Sequence, residues 1–157
     1  MGFSILKIIL VIFALALGSM AWSTPKKDAI VFVSETGLGN NLSSLALRVA
    51  NNMQTYSVIV EKMGESKAST LVNKHVRKSV ENHQDEWNEN MASSYLEYFS
   101  AIELNSILTE KSASPYFSKF RRKQKDVGAS MQKKSNKLLQ RVVSRAMKKA
   151  FTESESL

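Results

Sequence analysis

The chain has 157 residues, a length that suits one domain and leaves no room for two substantial ones. It contains no cysteine, which excludes disulfide scaffolds, cysteine-ligated zinc, catalytic thiols and a lipid-modified N-terminal cysteine. Its hydrophobic share of 43% and charged share of 23% are ordinary for a soluble domain, whereas its formal net charge is +8.

The first 23 residues have the pattern of a secretory signal peptide. Lys7 precedes an unbroken apolar run over residues 8–17, and small residues follow it. We expect cleavage after Ala21 or Ser23, which would place the mature protein in the periplasm or outside the cell. An uncleaved membrane anchor is the less favoured alternative, because the run is short for a span of about 20 residues.

The mature chain is predicted to open with a short helix. Pro25 suits a first helical turn, and Gly37 suits a helix end. The apolar block at residues 29–33 also has the β-branched content of a strand, but the helical patterns downstream favour a helix. The glycines in the turn that follows lack the context of a phosphate-binding loop.

Two amphipathic patterns come next. Apolar residues recur at intervals of three and four from 42 to 63, which predicts a helix between Asn41 and Gly64. The same spacing continues from 72 to 99 and predicts a single helix about 45 Å long.

The remaining signals are helix starts. Ser100 and Glu103 form a capping box before a short helix, and Ser114 followed by Pro115 predicts the start of the last helix. The sequence therefore predicts an all-α, single domain over residues 24–157. We expect about five helices, two of them long and amphipathic.

The order of residues in the second half of the chain resembles a known family. The matching residues are Tyr95, Tyr98 and Phe99, then Ser100, Glu103-Leu104, Ile107-Leu108, Ser114-Pro115 and Lys119-Phe120. This order resembles the bacterial family called domain of unknown function 2059, whose members are short, helical and secreted. The family tends to carry an aromatic pair before Ser-Pro and a glycine two residues after the proline, where this chain has Glu110-Lys111 and Phe117. The resemblance implies a secreted all-α domain and no particular activity.

Catalytic and metal-binding patterns are scarce. The two histidines, His75 and His83, are eight residues apart, whereas metal-binding pairs on a helix are three or four apart. We therefore predict no catalytic residue, no metal and no cofactor. The alternative is a small secreted enzyme or ligand-binding protein with a site near His83 and Glu86.

The last helix, predicted over residues 115–151, is strongly basic. From Lys111 to Phe151 the chain has thirteen Lys and Arg and the single acid Asp126, so this segment carries +12 and the rest of the chain −4. Most of its basic residues gather opposite an apolar stripe. The predicted anion-binding residues are Lys119, Arg121, Arg122, Lys123, Lys133, Lys137, Arg141 and Lys148.

An acidic protein, a polysaccharide or an anionic lipid surface would each suit such a helix. The predicted signal peptide argues against nucleic acid as a partner. A basic amphipathic helix lying on a membrane surface is an alternative function, although the apolar stripe is thin at its centre and argues against deep insertion. An ordinary packed helix with a positive solvent face explains the same pattern without any partner.

A second apolar strip lies near the end of this helix, at Val143, Met147 and Phe151. It is displaced from the main stripe, so the last turns are apolar on two sides. We expect this strip to contact another helix, a second copy in a homodimer, or a partner.

Overall fold

A computed structural model describes residues 24–156 of the chain. These residues form seven α-helices and two 3₁₀ turns, at Leu38–Asn41 and Lys111–Ala113, without a strand among them. The helices are α1 (Pro25–Thr36), α2 (Leu42–Asn51), α3 (Gln54–Met63), α4 (Glu65–Glu81), α5 (Gln84–Leu96), α6 (Ala101–Glu110) and α7 (Phe117–Glu155). The predicted all-α single domain is confirmed, and the predicted number of about five helices is wrong.

The predicted signal peptide over residues 1–23 lies outside the described residues, as does Leu157. Between Thr24 and Ser156, the helices are each too short or too polar to cross a membrane.

The apolar block after Pro25 is helical rather than extended. The Thr24 hydroxyl accepts a hydrogen bond from the Lys27 amide at 3.4 Å, and Pro25 occupies the first turn. Gly37 ends α1 in the left-handed conformation, with φ 67°, and its amide donates to the Ser34 carbonyl. The caps at both ends therefore decide in favour of the helix.

Each of the two middle helices predicted from the sequence is broken into two, which accounts for the wrong count. The first breaks between α2 and α3, where Met53 is extended with ψ 142°. The second breaks between α4 and α5, where His83 has φ −132° and ψ 3°. The prediction of one helix over 72–99 is therefore wrong.

An asparagine side chain binds a carbonyl at each of these two helix ends. The Asn52 side-chain amide donates to the Arg48 carbonyl at 2.8 Å, and that of Asn82 donates to the Lys78 carbonyl at 3.0 Å. The last carbonyls of a helix have no backbone partner, so a side chain that binds one of them stabilises the helix end.

Helix α7 has 39 residues and is about 58 Å long, which makes it the spine of the domain. It packs on α2, α3, α4 and α5. Ser114 and Pro115 form the turn before it, where the Ser114 hydroxyl accepts from the Tyr116 amide at 3.2 Å. Helix α1 packs on α5 and α6 at the first end of the spine.

An aromatic cluster fills the core at this end. The Phe32 ring meets the Tyr95 ring edge-on with centroids 5.3 Å apart, and the Phe120 ring stacks on Tyr95 at 5.9 Å. At the other end, the buried Ser79 hydroxyl of α4 donates to the Val142 carbonyl of α7 at 2.8 Å. The start of α7 thus packs on α1 and α5, and a later turn is hydrogen-bonded to α4.

The predicted apolar partner strip is mostly part of this core. Val143 and Met147 are each 2% exposed, because α3 and α4 cover the end of α7 from two sides. Contact with other helices of the same chain, the first of the three expected contacts, accounts for both residues. Phe151 remains 36% exposed.

Candidate anion-binding surface

Three of the eight predicted anion-binding residues bind carboxylates of the chain itself. The Lys119 ammonium lies 2.7 Å from Glu103 on α6, the Arg141 guanidinium lies 2.6 Å from Glu86 on α5, and Lys123 lies 2.7 Å from Asp126 within α7. The Lys119 ammonium also lies 4.8 Å from the centre of the Phe99 ring. Lys119 and Arg141 therefore hold α7 against its neighbours.

The other five predicted residues are exposed, and in the described part of the chain no carboxylate lies within 4 Å of their charged groups. They are Arg121, Arg122, Lys133, Lys137 and Lys148. From Arg122 to Lys148 the helix rises about 39 Å. Four of them, without Arg121, lie within about a quarter turn of one another at 100° per residue, so they form a row along one side of α7.

The row ends at a cleft between α4 and the last turns of α7, which we call the basic cleft. Its volume is 760 Å³, and its lining includes His75 of α4 with Arg145, Lys148 and Lys149 of α7. A smaller cavity of 60 Å³ adjoins it and shares His75, Arg145 and Lys149. Lys78 and His83 also line this smaller cavity, so both histidines of the chain lie beside the basic end of α7.

Sequence reasoning missed Arg145 and Lys149, although their spacing of four places them on one side of a helix. It also missed His75 and Lys78 as neighbours of that side. Nothing in the α4 sequence indicates that it packs beside a segment some seventy residues further along.

Among the described residues that line the basic cleft, Glu153 is the one that carries a carboxylate. Glu153 accepts hydrogen bonds from the Lys74 ammonium at 2.7 Å and contacts the His75 ring nitrogen Nε2 at 2.8 Å. The bond from Lys74, followed by that from His75, lowers the pKa of Glu153 below its ordinary value. Because Glu153 binds α4, the positive charges of Arg145, Lys148 and Lys149 are left facing solvent.

The pair His83 and Glu86 does not form a shared site. The His83 ring is buried and its Nδ1 donates to the Ser79 carbonyl at 2.7 Å, while Glu86 binds Arg141. The small cavity that His83 lines does not include Glu86. Among residues 24–156, no three His, Asp or Glu side chains are grouped so as to hold a metal ion.

Comparison of the chain with protein-family models, with curated proteins and with solved structures finds no match. The resemblance to domain of unknown function 2059 therefore stays a prediction from the residues that carry it.

Proposed function

We propose that the protein is an exported, non-enzymatic helical protein that binds an anionic partner along α7, with the basic cleft as the strongest point of contact. The observation that carries this proposal is the meeting of Arg145, Lys148 and Lys149 with His75 of a different helix. Because Lys78 of α4 lines the adjoining small cavity, cations from two helices face this region, an arrangement that a charged face of a lone helix lacks.

The shape of the surface favours an extended partner. The row from Arg122 to Lys148 is about 39 Å long, and it leads directly into the basic cleft. A linear polymer with regularly spaced carboxylate, sulfate or phosphate groups can contact both at once. An envelope polysaccharide would meet this requirement in the predicted location.

Insertion into a bilayer has less support. Ile102, Val31, Val49 and Val58 are the most exposed large apolar side chains in the described structure, and they lie on other helices than α7. Interfacial helices insert through an apolar face of their own. On α7 only Phe151 is an exposed large apolar residue, so a lipid surface would be held by charge alone.

Binding to a sulfated polysaccharide such as heparin tests this proposal. We expect measurable binding at about 50 mM salt and its loss at about 500 mM, because salt screens contacts between exposed charges. The double variant Arg145→Gln with Lys149→Gln should weaken binding at low salt by about tenfold or more, since each cation near an anionic surface contributes about 1 kcal/mol.

A matched variant removes the same charge elsewhere. Lys27 is exposed on α1, and Arg77 is exposed on the side of α4 opposite His75, two residues and 200° away. Lys27→Gln with Arg77→Gln should weaken binding by no more than about threefold, the effect of net charge alone. Equal losses in the two double variants, or binding that ignores salt, would contradict the proposal.

The same measurement with vesicles of phosphatidylglycerol distinguishes the alternative. If the vesicles bind more tightly than the polysaccharide, and the binding is lost at high salt, the partner is an anionic membrane surface. Phe151→Ser then tests whether any apolar contact contributes, because Phe151 lies beside the exposed end of the row.

A further inference from the structure

A second, apolar cleft lies on the domain away from the basic cleft and shares no lining residue with it. It has a volume of 460 Å³, which is within the range of about 300–1,000 Å³ of small-molecule sites. Its apolar walls come from the first 3₁₀ turn, α2, α5 and α7, through Leu38, Leu45, Trp87, Met91, Met131 and Leu139. None of the described side chains that line it is charged.

The apolar cleft is elongated. Its lining on α7 extends from Gln124 to Leu139, which corresponds to about 22 Å along the helix axis. Methionines on two facing helices, Met91 and Met131, supply flexible walls that adapt to an apolar ligand. These features match a linear hydrocarbon chain better than a compact polar molecule.

Gly128 borders this cleft, and the chain itself gives no packing reason for a glycine there. A Cβ atom added at Gly128 would meet no atom of residues 24–156 within 4 Å, whereas one added at Gly39 would lie 2.0 Å from the Asn88 side chain. Glycine inside a helix lowers stability by roughly 0.5–1 kcal/mol relative to alanine. The gap at Gly128 keeps the cleft open where a larger side chain would enter it.

Ser135 supplies a polar group inside the same cleft. Ser135 is 2% exposed, and within the described residues its hydroxyl donates only to the Met131 sulfur, at 3.3 Å. A thioether is a weak acceptor, so this hydroxyl keeps most of its capacity to bond a ligand.

Two cations continue the line of the cleft along α7. Arg121 and Lys125 precede Gly128 by seven and three residues, a spacing that places all three on one side of the helix. Both are exposed, and within residues 24–156 neither has a carboxylate within 4 Å. An anionic group at this end would meet positive charge just outside the apolar walls.

We propose that the apolar cleft binds a single-chain anionic amphiphile, with its hydrocarbon chain across Gly128 between α5 and α7 and its anionic head beside Arg121 and Lys125. A long-chain fatty acid and a lysophospholipid with an anionic head share this chemistry. The binding is reversible and requires no covalent step. This site is independent of the anion-binding function proposed for the basic cleft.

Calorimetric titration with palmitate, hexadecanol and lysophosphatidylglycerol tests the proposal on the full chain. We expect one palmitate or one lysophosphatidylglycerol per protein molecule. The ligand that binds more tightly shows whether the hydrocarbon chain belongs to a fatty acid or to a lysophospholipid. Hexadecanol has the same chain as palmitate without the charge, and it should bind at least about fivefold more weakly.

Two variants at one position separate blocking from unfolding. Gly128→Leu should weaken palmitate binding by about tenfold or more, because its side chain enters the cleft, while the thermal midpoint stays equal or rises. Gly128→Ala gains the same helix preference but little volume, so palmitate binding should change by less than about threefold. Palmitate binding that is unchanged in Gly128→Leu would overturn the site.

The charged end is tested separately. Arg121→Gln with Lys125→Gln should weaken palmitate about fivefold or more and leave hexadecanol unchanged, whereas Lys133→Gln with Lys137→Gln, on another side of α7, should affect neither. No binding of either anionic ligand, or hexadecanol binding as tightly as palmitate, overturns the proposal. Heparin binding by the same protein is unaffected by these outcomes, so failure here is distinct from failure of the anion-binding function.

Discussion

Individual buried side chains that pack against two other helices stabilise this fold. Phe32 is 1% exposed, and its ring packs edge-on against both Tyr95 and Phe120. These three residues come from α1, α5 and α7, so one side chain joins three helices. Burial raises the pKa of Tyr95, although the hydrogen bond to Gln124 works in the opposite direction.

Phe32→Ala should therefore lower the free energy of unfolding by about 3–5 kcal/mol, the usual cost of removing a buried aromatic ring. Phe32→Leu keeps most of the apolar volume and should cost less than half as much. Urea unfolding followed by circular dichroism measures both. As a control, Ile102→Ala should change stability by no more than about 0.5 kcal/mol, because Ile102 is 76% exposed. A Phe32→Ala protein as stable as the control would show that the cluster is not part of the cooperative core.

At the scale of the element, some helix ends were predictable, whereas the continuity of the two middle helices was not. The predicted cap Asn41 makes no side-chain bond to α2, and α7 begins at Phe117 rather than at Pro115. The caps of α1 and α6 depend on neighbouring residues, and both are present as predicted. The break at His83 was not predictable from periodicity. Val80, His83 and Trp87 keep the spacing of three and four through the break, because α4 and α5 present their buried residues to one core.

The capping box of α6 offers a prediction at this scale. The Ser100 hydroxyl accepts from the Glu103 amide at 3.2 Å, and the Glu103 carboxylate accepts from the Ser100 amide at 2.8 Å. Ser100→Ala removes one of these bonds and should lower the free energy of unfolding by about 1 kcal/mol. Ser100→Asp should restore most of the loss, because aspartate also caps helices well. Thermal unfolding of the three proteins measures this order of stability. A Ser100→Ala variant that unfolds at the same temperature as the wild type would contradict the prediction.

At the scale of the whole molecule, the sequence gives the class of fold and the location of its positive charge, but it does not show which helices meet. The burial of Val143 and Met147 needs α3 and α4 on two sides of α7. The basic cleft needs His75 to lie beside Lys149. Both facts depend on contacts between distant segments, and a helical period describes only which side of a helix is buried.

Within the described residues, five carboxylates form ion pairs between α7 and the rest of the molecule. Three of them, Glu97, Glu103 and Glu153, have a lowered pKa and make its stability depend on pH. Glu103 connects α6 to Lys119 of α7, and Glu153 connects α7 to Lys74 and His75 of α4. For Glu103, desolvation raises the pKa, but the hydrogen bonds from Lys119 and from Ser100 together outweigh it and lower the pKa. The pKa of Glu153 is also lowered. The folded protein therefore binds a proton at each of these carboxylates less tightly than the unfolded chain does.

A lowered pKa contributes stability that is present above the ordinary value of 4.5 and is lost as the pH falls through the folded value. We expect the free energy of unfolding, measured with urea, to be level from about pH 7 to about pH 5 and to fall below that. Glu103→Gln with Glu153→Gln should lower stability at pH 7 and make the fall between about pH 4.5 and 3 less steep, because neither site can then lose a charge. Part of the slope remains, because hydrogen bonds from Ser130 and Lys134 also lower the pKa of Glu97. Glutamine at position 103 still completes a capping box, so this variant tests the charge rather than the cap.

Glu35→Gln removes an exposed carboxylate that, in the described residues, has no cation within 4 Å, and it should leave the pH profile unchanged. If the double variant keeps the acid slope of the wild type, other carboxylates govern the attachment of α7.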